Sequence, residues 1–342
     1  MPVTQTLENT TKKDQHVYQG DNRWYRIWYL RKLYFNILVK QLPKLGFVNA
    51  ARTQFPFAFK DAIAPPSLSV EFTNYCNLSC TYCTSPLNLR PKGLMSDYIF
   101  DRVVEGIVDC EVKRVRVIGN GEAGIHPNYK EYIKELRRVT SVISLTTNAK
   151  FNKEAFIYDT IDAGFDQLNI SVDSDNKNSY EKLRVRGNFE KLVGDLKKLK
   201  EYKDGKKSKT MINIRVMISP EDFDRQKEIM DFWKPFADVI SKQYVIDIND
   251  LHTDTFATDA RNGRFPACSL PFKTLDIQWN GNIPLCSYSF KQSGLPEGVL
   301  IGNIGKTSLQ EIWNGPLIKQ YRDAHRSRNE ASMPLCNNCM GT

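Results

Sequence analysis

Hydrophobic positions along the chain change their period at regular intervals. After the Pro65-Pro66 break, short runs rich in Val, Ile and Leu recur at 67–73 (SLSVEFT), 113–119 (KRVRVIG), 142–147 (VISLTT), 166–173 (DQLNISVD), 210–219 (TMINIRVMIS) and near 239–247 (VISKQYVID). Their β-branched composition predicts strands. Helical spacing between them predicts helices from about Asp97 to Asp109, from about Pro127 and from about Asn152, and a long Lys-rich helix ending near Asp204-Gly205. Strands without strict alternation, each followed by a helix, predict a parallel sheet covered on both faces. Six such units make an α/β fold, a partial (β/α)6 TIM-like barrel, with a flat doubly wound sheet as the competing arrangement.

The rhythm stops after Asp247. Residues 249–267 read as a connector, and from Cys268 short strands replace the alternation. Asn280-Gly281 between two alternating segments is a hairpin signal, because a type I′ turn needs positive φ at both central residues. A helix is predicted from about Ser308, and the chain ends in CNNCMGT. The 342 residues thus divide into an N-terminal basic and aromatic arm (1–66), the barrel (67–248), the connector (249–267) and a small hairpin and helix domain (268–342).

Composition is that of a globular protein, with 41% hydrophobic and 25% charged residues. The formal charge of +9 does not predict nucleic-acid binding, because it is local: between Asn22 and Lys60 there are eight Lys/Arg and no Asp/Glu. The arm reads as a helix to about Lys40, with Trp24, Trp28, Phe35 and Val39 on one face and Ile27, Leu30, Leu33 and Ile37 on the others. A helix packed on the body with its Arg heads snorkelling outward is one reading; peripheral membrane contact through residues 22–48, or contact with a polyanion or partner, are the alternatives. No apolar run approaches the ~20 residues of a membrane span, and residues 1–15 lack the apolar core of a secretory signal, which predicts a cytoplasmic protein.

The chemistry lies in the cysteines. Four scattered histidines (His16, His126, His252, His325) make a multi-histidine metal site unattractive, whereas cysteine spacings of C-x3-C-x2-C and C-x2-C in a reducing compartment point to metal ligands. Cys76, Cys80 and Cys83 follow the first strand, at the end where barrels place their chemistry. Three thiolates on a four-iron cube leave one iron open. Zinc held by Cys80, Cys83, Cys336 and Cys339 is the competing site, although the separation far exceeds a zinc ribbon. Gly119-Asn120-Gly121-Glu122-Ala123-Gly124 satisfies G-x-G-x-x-G, but His126-Pro127 interrupts the helix that a dinucleotide site needs.

The C-x3-C-x-aromatic-C loop, with Tyr82 before Cys83, resembles the signature of radical S-adenosylmethionine (radical SAM) enzymes. The resemblance implies S-adenosylmethionine and an open-site [4Fe-4S] cluster on Cys76, Cys80 and Cys83. It gives Gly121-Glu122 the place of the GGE-like motif that holds the methionyl ammonium, with Asn120 and Ala123 departing from the commoner GGEP form. It implies that Ser171 and Asp173 contact the cofactor's ribose or carboxylate, that Arg184 (or Arg186 in the other register) pairs with that carboxylate, and that Ile214 and Val216 offer an apolar edge to adenine. The tail, with NGNIPLC and CNNC, resembles the SPASM domain in its shortened, single-cluster twitch form, which implies one auxiliary [4Fe-4S] cluster on Cys268, Cys286, Cys336 and Cys339.

What this implies for function is an oxidoreductase. An external one-electron reductant such as flavodoxin or ferredoxin would supply the electron that yields a 5′-deoxyadenosyl radical, and the auxiliary cluster would take an electron from the substrate radical. Oxidation of a carbinol to a ketone on a sugar or aminocyclitol-like small molecule is the first expectation. A maturase installing a crosslink, thioether or epimer in a ribosomal peptide is the alternative. Cys110, outside both sets and on the barrel's bottom face, is expected to be a small buried hydrophobe rather than a hydrogen donor.

Overall fold

The computed structural model describes residues 61–83, 90–151, 153–244, 268–286 and 299–327, together with Asn329, Ser332 and Cys336. The chain divides into two compact units, Met1–Ala58 and Phe59–Thr342. Residues 1–60 of the N-terminal arm, including 22–48, the connector 249–267 and Cys339 lie outside the described residues. Among the described residues no helix is long and apolar enough to cross a membrane.

Six parallel strands form the predicted partial barrel: β1 (Ser67–Val70), β3 (Arg114–Val117), β4 (Val142–Thr147), β5 (Gln167–Val172), β7 (Met211–Ile218) and β8 (Val239–Tyr244). The two-residue β2 (Ser79–Cys80) and β6 (Arg184–Val185) lie outside this sheet. Helices α1 (Asp97–Asp109), α2 (Tyr129–Val139), α3 (Ala155–Asp162), α4 (Lys177–Leu183), α5 (Phe189–Gly205) and α6 (Gln226–Trp233) connect the strands. Alternation along each strand sorts its side chains. Leu68, Val70, Val115, Val117, Ile143, Leu145, Leu168, Ile170, Ile212, Ile214 and Val216 belong to one apolar core with helix residues such as Ile107, Ile133, Leu196 and Trp233. Residues of the other parity, among them Ser69, Arg116, Asn169, Ser171, Asn213 and Arg215, line the lumen.

A seventh strand was not expected. After Cys268 comes β9 (Thr274–Ile277), which pairs in parallel with β1, Leu68 opposite Leu275 and Val70 opposite Ile277. The sheet order is β8-β7-β5-β4-β3-β1-β9, open between β8 and β9 among the described residues. The hairpin signal therefore resolves differently. Asn280-Gly281 does reverse the chain: Gly281 N–H donates to the Gln278 carbonyl at 2.8 Å and Gln278 N–H to Asn282 at 2.9 Å. Only Gly281 takes positive φ (+84°), so this is a three-residue loop on a left-handed glycine and not a type I′ turn. β10 (Asn282–Pro284) then pairs with β11 (Leu300–Asn303). The predicted C-terminal helix begins at a capping box on Ser308 and Glu311 but is short, α7 (Leu309–Trp313), and is followed by α8 (Pro316–Ser327).

The long Lys-rich helix is α5, which ends at Gly205 as expected, and the shorter α4 precedes it as a separate helix. Asn188 caps α5 through Lys191 N–H (2.8 Å), Arg186 sits at φ +72°, and a Cβ on Gly187 would fall 2.7 Å from the Arg184 carbonyl oxygen. The break between α4 and α5 leaves β6 free to pair antiparallel with β2, setting Cys80 opposite Arg184.

Candidate functional site

The cysteine loop is clasped from three directions. Tyr82 Oη donates to both oxygens of Asp173 (2.8 and 3.0 Å), and Arg184 donates to the same carboxylate through Nε at 2.8 Å and a terminal nitrogen at 3.0 Å. The Asp173 and Arg184 side chains are 1% and 4% exposed. The two residues read separately as cofactor contacts therefore form one buried, bidentate ion pair with Tyr82 upon it. Burial pushes the Cys80 thiol up to about 12, with the Arg184 charge opposing. Arg186, the register alternative, instead gives its carbonyl to Lys150 Nζ at 2.7 Å.

The second clasp comes from the β4–α3 loop. Asn148 Nδ2 donates to Asn77 Oδ1 (2.8 Å) and approaches Cys76 Sγ (3.6 Å), while Lys150 Nζ donates to the Asn77 carbonyl at 3.0 Å. Glu122 ties this loop to the glycine motif, accepting from Thr147 Oγ1 at 2.7 Å and Asn148 N–H at 2.8 Å, and Glu122 N–H donates to the Tyr75 carbonyl at 2.8 Å. Burial pushes the Glu122 carboxyl upward, against those hydrogen bonds. Gly121 is obligatory here: a Cβ would fall 2.4 Å from the carbonyl oxygens of Thr73 and Tyr75. Gly121→Ala is thus expected to displace the cysteine loop and lower bound iron per chain; wild-type iron content and S-adenosylmethionine affinity in that variant would contradict this close packing.

The third clasp is a second buried ion pair. Arg90 donates to both oxygens of Glu71 (3.0 and 2.9 Å), with side chains 3% and 6% exposed. Glu71 also accepts from Asn120 N–H at 2.8 Å. The pair joins the end of β1, the segment that leaves the cysteine loop and the glycine motif. Sequence reading missed Glu71, Arg90, Asn148 and Lys150; the available signal was a lone acid inside the first strand.

Ser171 faces the lumen and is half-buried. Ile214 and Val216 do not face it. Both are fully buried on the helix-facing pleat of β7. The alternation that puts Asn213 and Arg215 in the lumen turns Ile214 and Val216 away from it, so an adenine edge at this level would come from other groups.

The tail cysteines gather around α8. Cys268 N–H donates to His325 Nδ1 at 3.3 Å, and His325 Nε2 lies 3.9 Å from Cys336 Sγ. Burial lowers the imidazole to about 4, so it is neutral, and accepting at Nδ1 leaves its proton on Nε2, toward the Cys336 sulfur. Cys286 and Cys336 both act on Tyr321, and Cys336 packs with Leu285, Tyr321 and Ala324. Cys80, by contrast, is surrounded by Arg184, Asp173, Cys83 and Cys76. Apart from Cys110, the described cysteines thus belong to two separate neighbourhoods, which is not the arrangement of a zinc site drawn from both.

The donor sets fit iron–sulfur clusters. Cys76 and Cys80 each feel the charge of Cys83, and the Cys80 sulfur accepts no hydrogen bond among the described residues. The loop's backbone bonds run both inward, from Cys83 N–H to the Cys80 carbonyl at 3.1 Å, and outward, from Thr81 N–H to the Leu183 carbonyl at 2.9 Å.

A partial barrel with three cysteines on one loop at its mouth and further cysteines on a tail that joins its edge through β9 has the architecture of an iron–sulfur protein of the TIM-like class. Residues 70–232 match the radical SAM superfamily and residues 268–340 match SPASM, an iron–sulfur cluster-binding domain. The chain belongs to the radical SAM superfamily and carries a C-terminal SPASM domain. Its cofactors are accordingly S-adenosylmethionine, a [4Fe-4S] cluster and an auxiliary iron–sulfur cluster.

Among curated proteins, it is similar to GTP 3′,8-cyclase of Petrotoga mobilis, 33% identical over 136 residues, covering 38% of this chain and 41% of that protein. The same enzyme of Hydrogenovibrio crunogenus is 31% identical over 133 residues, 37% of this chain and 39% of the relative. The chain thus spans about two fifths of the length of the curated relatives it matches. Among solved structures it shares the fold of BtrN in complex with AdoMet and 2-DOIA (TM-score 0.55, 16% identity, 82% of this chain and 94% of that one). It also shares that of Streptococcus suis SuiB bound to precursor peptide SuiA (TM-score 0.60, 15% identity, 80% and 70%).

Proposed function

We propose that the protein oxidises a hydroxylated small molecule, removing hydrogen from a carbinol carbon to leave a ketone. The observation that carries this reading is the polar lumen below the cysteine loop. Gln167, Asn169, Asn213 and Ser241 form a continuous side-chain network across β5, β7 and β8, with contacts of 2.7, 3.0 and 3.0 Å. Such a surface suits a ligand with several hydroxyls better than an apolar peptide side chain. When bound, the cofactors supply a reductively generated 5′-deoxyadenosyl radical and an acceptor for one electron. The chain's own residues do the positioning. Tyr82, Asp173 and Arg184 fix the cysteine loop, Glu122 offers remaining lone pairs to the methionyl ammonium, and Ser171 offers a hydroxyl to the cofactor. Cys268, Cys286, Cys336 and Cys339 would hold the auxiliary cluster of the tail, which would supply an acceptor for the electron left on the substrate once its carbinol hydrogen atom has gone to 5′-deoxyadenosine and its hydroxyl proton to solvent or a base. BtrN, bound to AdoMet and 2-DOIA, shares the fold over nearly its whole length, which supports a small-molecule substrate.

The test is isotopic. A panel of polyols and sugars deuterated at carbinol carbons is incubated with protein, S-adenosylmethionine and a flavodoxin or dithionite reductant. Deuterium in 5′-deoxyadenosine together with a ketone product supports the reading; a crosslinked or thioether-bearing peptide from a co-expressed precursor, with no ketone from the panel, would replace it by the maturase.

Cys110 separates oxidation from epimerisation, which needs a hydrogen donor. It ends α1, is 8% exposed, and its thiol donates to Gln310 Oε1 at 3.3 Å. That is the end of the barrel opposite the cysteine loop. Cys110→Ala is expected to keep product formation; loss of product with 5′-deoxyadenosine formation intact would identify it as the donor.

A further inference from the structure

The lumen contains two guanidinium groups that neither the cysteine loop nor its clasps use. Arg215 on β7 lies in register with Ser171 of β5 and Ser241 of β8. Among the described residues it has no hydrogen bond and no ion pair. Burial lowers its pKa, and Arg116 lowers it further. Because β4 and β5 stand between β3 and β7 in the sheet, that influence of one cation on the other acts across the lumen.

Arg116 on β3 is only partly matched. One terminal nitrogen donates to Ser69 Oγ (2.8 Å) and Thr274 Oγ1 (3.1 Å), Asp276 is 4.0 Å away, and Nε is buried without a partner. The other acids of this region are already spoken for, Glu71 by Arg90 and Asp173 by Arg184. Two cations thus share a concave, hydrogen-bonding surface with one carboxylate, Asp276, at 4.0 Å from Arg116. The Arg116 side chain is 41% exposed and Arg215 is half-buried, so both are open to a ligand. The partial loss of water around Arg215 favours an anionic partner, and guanidinium groups bind carboxylate and phosphate through paired N–H donors.

We propose that the substrate carries an anionic group, a phosphate or carboxylate, which Arg215 binds in the upper lumen with Arg116 opposite. The Asn169, Asn213 and Ser241 side chains then face its hydroxyls. This deepens the oxidation reading and rests on it for the word substrate. It selects acidic or phosphorylated sugars over aminocyclitols, whose ammonium groups this lumen would repel. The carboxylate of S-adenosylmethionine offers the same chemistry, and the experiment separates the two.

Isothermal titration of the cluster-loaded protein without oxygen, using inorganic phosphate, glucose 6-phosphate, glucose and glucosamine, measures binding without turnover. Saturable binding of phosphate and glucose 6-phosphate, absent for glucosamine, is expected. Arg215→Met should weaken it on the order of tenfold to a hundredfold, the range for losing a hydrogen bond to a charged group, and Arg215→Lys should recover part of the loss. Iron content and S-adenosylmethionine affinity should match wild type. The proposal is overturned if none of the anions binds, if Arg215→Met binds them as wild type does, if glucosamine binds better, or if Arg215→Met loses affinity for S-adenosylmethionine instead. Failure of the oxidation reading looks different: anion binding persists while no hydroxylated compound yields a ketone.

Discussion

Cys80→Ala is expected to abolish both 5′-deoxyadenosine and oxidised product, whereas Cys286→Ala or Cys336→Ala retains reductive cleavage of S-adenosylmethionine and loses the product. The asymmetry follows from the two neighbourhoods. Cys80 sits in the loop with Cys76 and Cys83, opposite Arg184, while Cys286 and Cys336 lie around Tyr321 on the tail. Metal binding can supply much of the folding free energy of a small domain, so circular dichroism and iron counting accompany the assay. A folded Cys336→Ala chain that lacks its auxiliary cluster yet oxidises substrate at the wild-type rate would refute the electron-acceptor role given to the tail.

Glu71→Ala should destabilise the chain by about 3–5 kcal/mol, the usual cost of stripping one partner from a buried ion pair. It leaves the Arg90 guanidinium, 3% exposed, without its carboxylate and removes the acceptor of Asn120 N–H. Thermal or urea unfolding followed by circular dichroism reads the loss. The double variant Glu71→Met/Arg90→Met should recover much of it, because replacing both charges leaves no uncompensated ion. A single variant that unfolds like wild type would mean that the pair carries no structural weight.

The strands of the barrel were legible because each is a short β-branched run; 142–147 and Asp97–Asp109 appear with the boundaries that the pattern predicts. Three things were hidden. The short α4 ahead of the Lys-rich α5 was hidden because the break between them depends on backbone conformation at Arg186 and a close approach at Gly187, with Asn188 as the capping signal. The pairing of β9 with β1 is non-local, and nothing within TLDI specifies its neighbour. In NIRVMIS the period of two was on the page, Asn213 and Arg215 polar, Ile214 and Val216 apolar. Family resemblance drew the eye to the apolar pair, whereas the pleat gives the lumen to the polar one.

The parallel addition of β9 to β1 bears on how the SPASM domain can be handled in engineering. Without it, β1 would present a row of unpaired amide and carbonyl groups beside side chains, Leu68 and Val70, that are fully buried in the intact chain. An uncovered apolar strand of that kind recruits other chains. A truncation placed before Cys268 should therefore yield aggregates rather than a stand-alone barrel, and grafting this tail onto a different relative would require transplanting β1 along with it. In this chain the two parts share a single sheet.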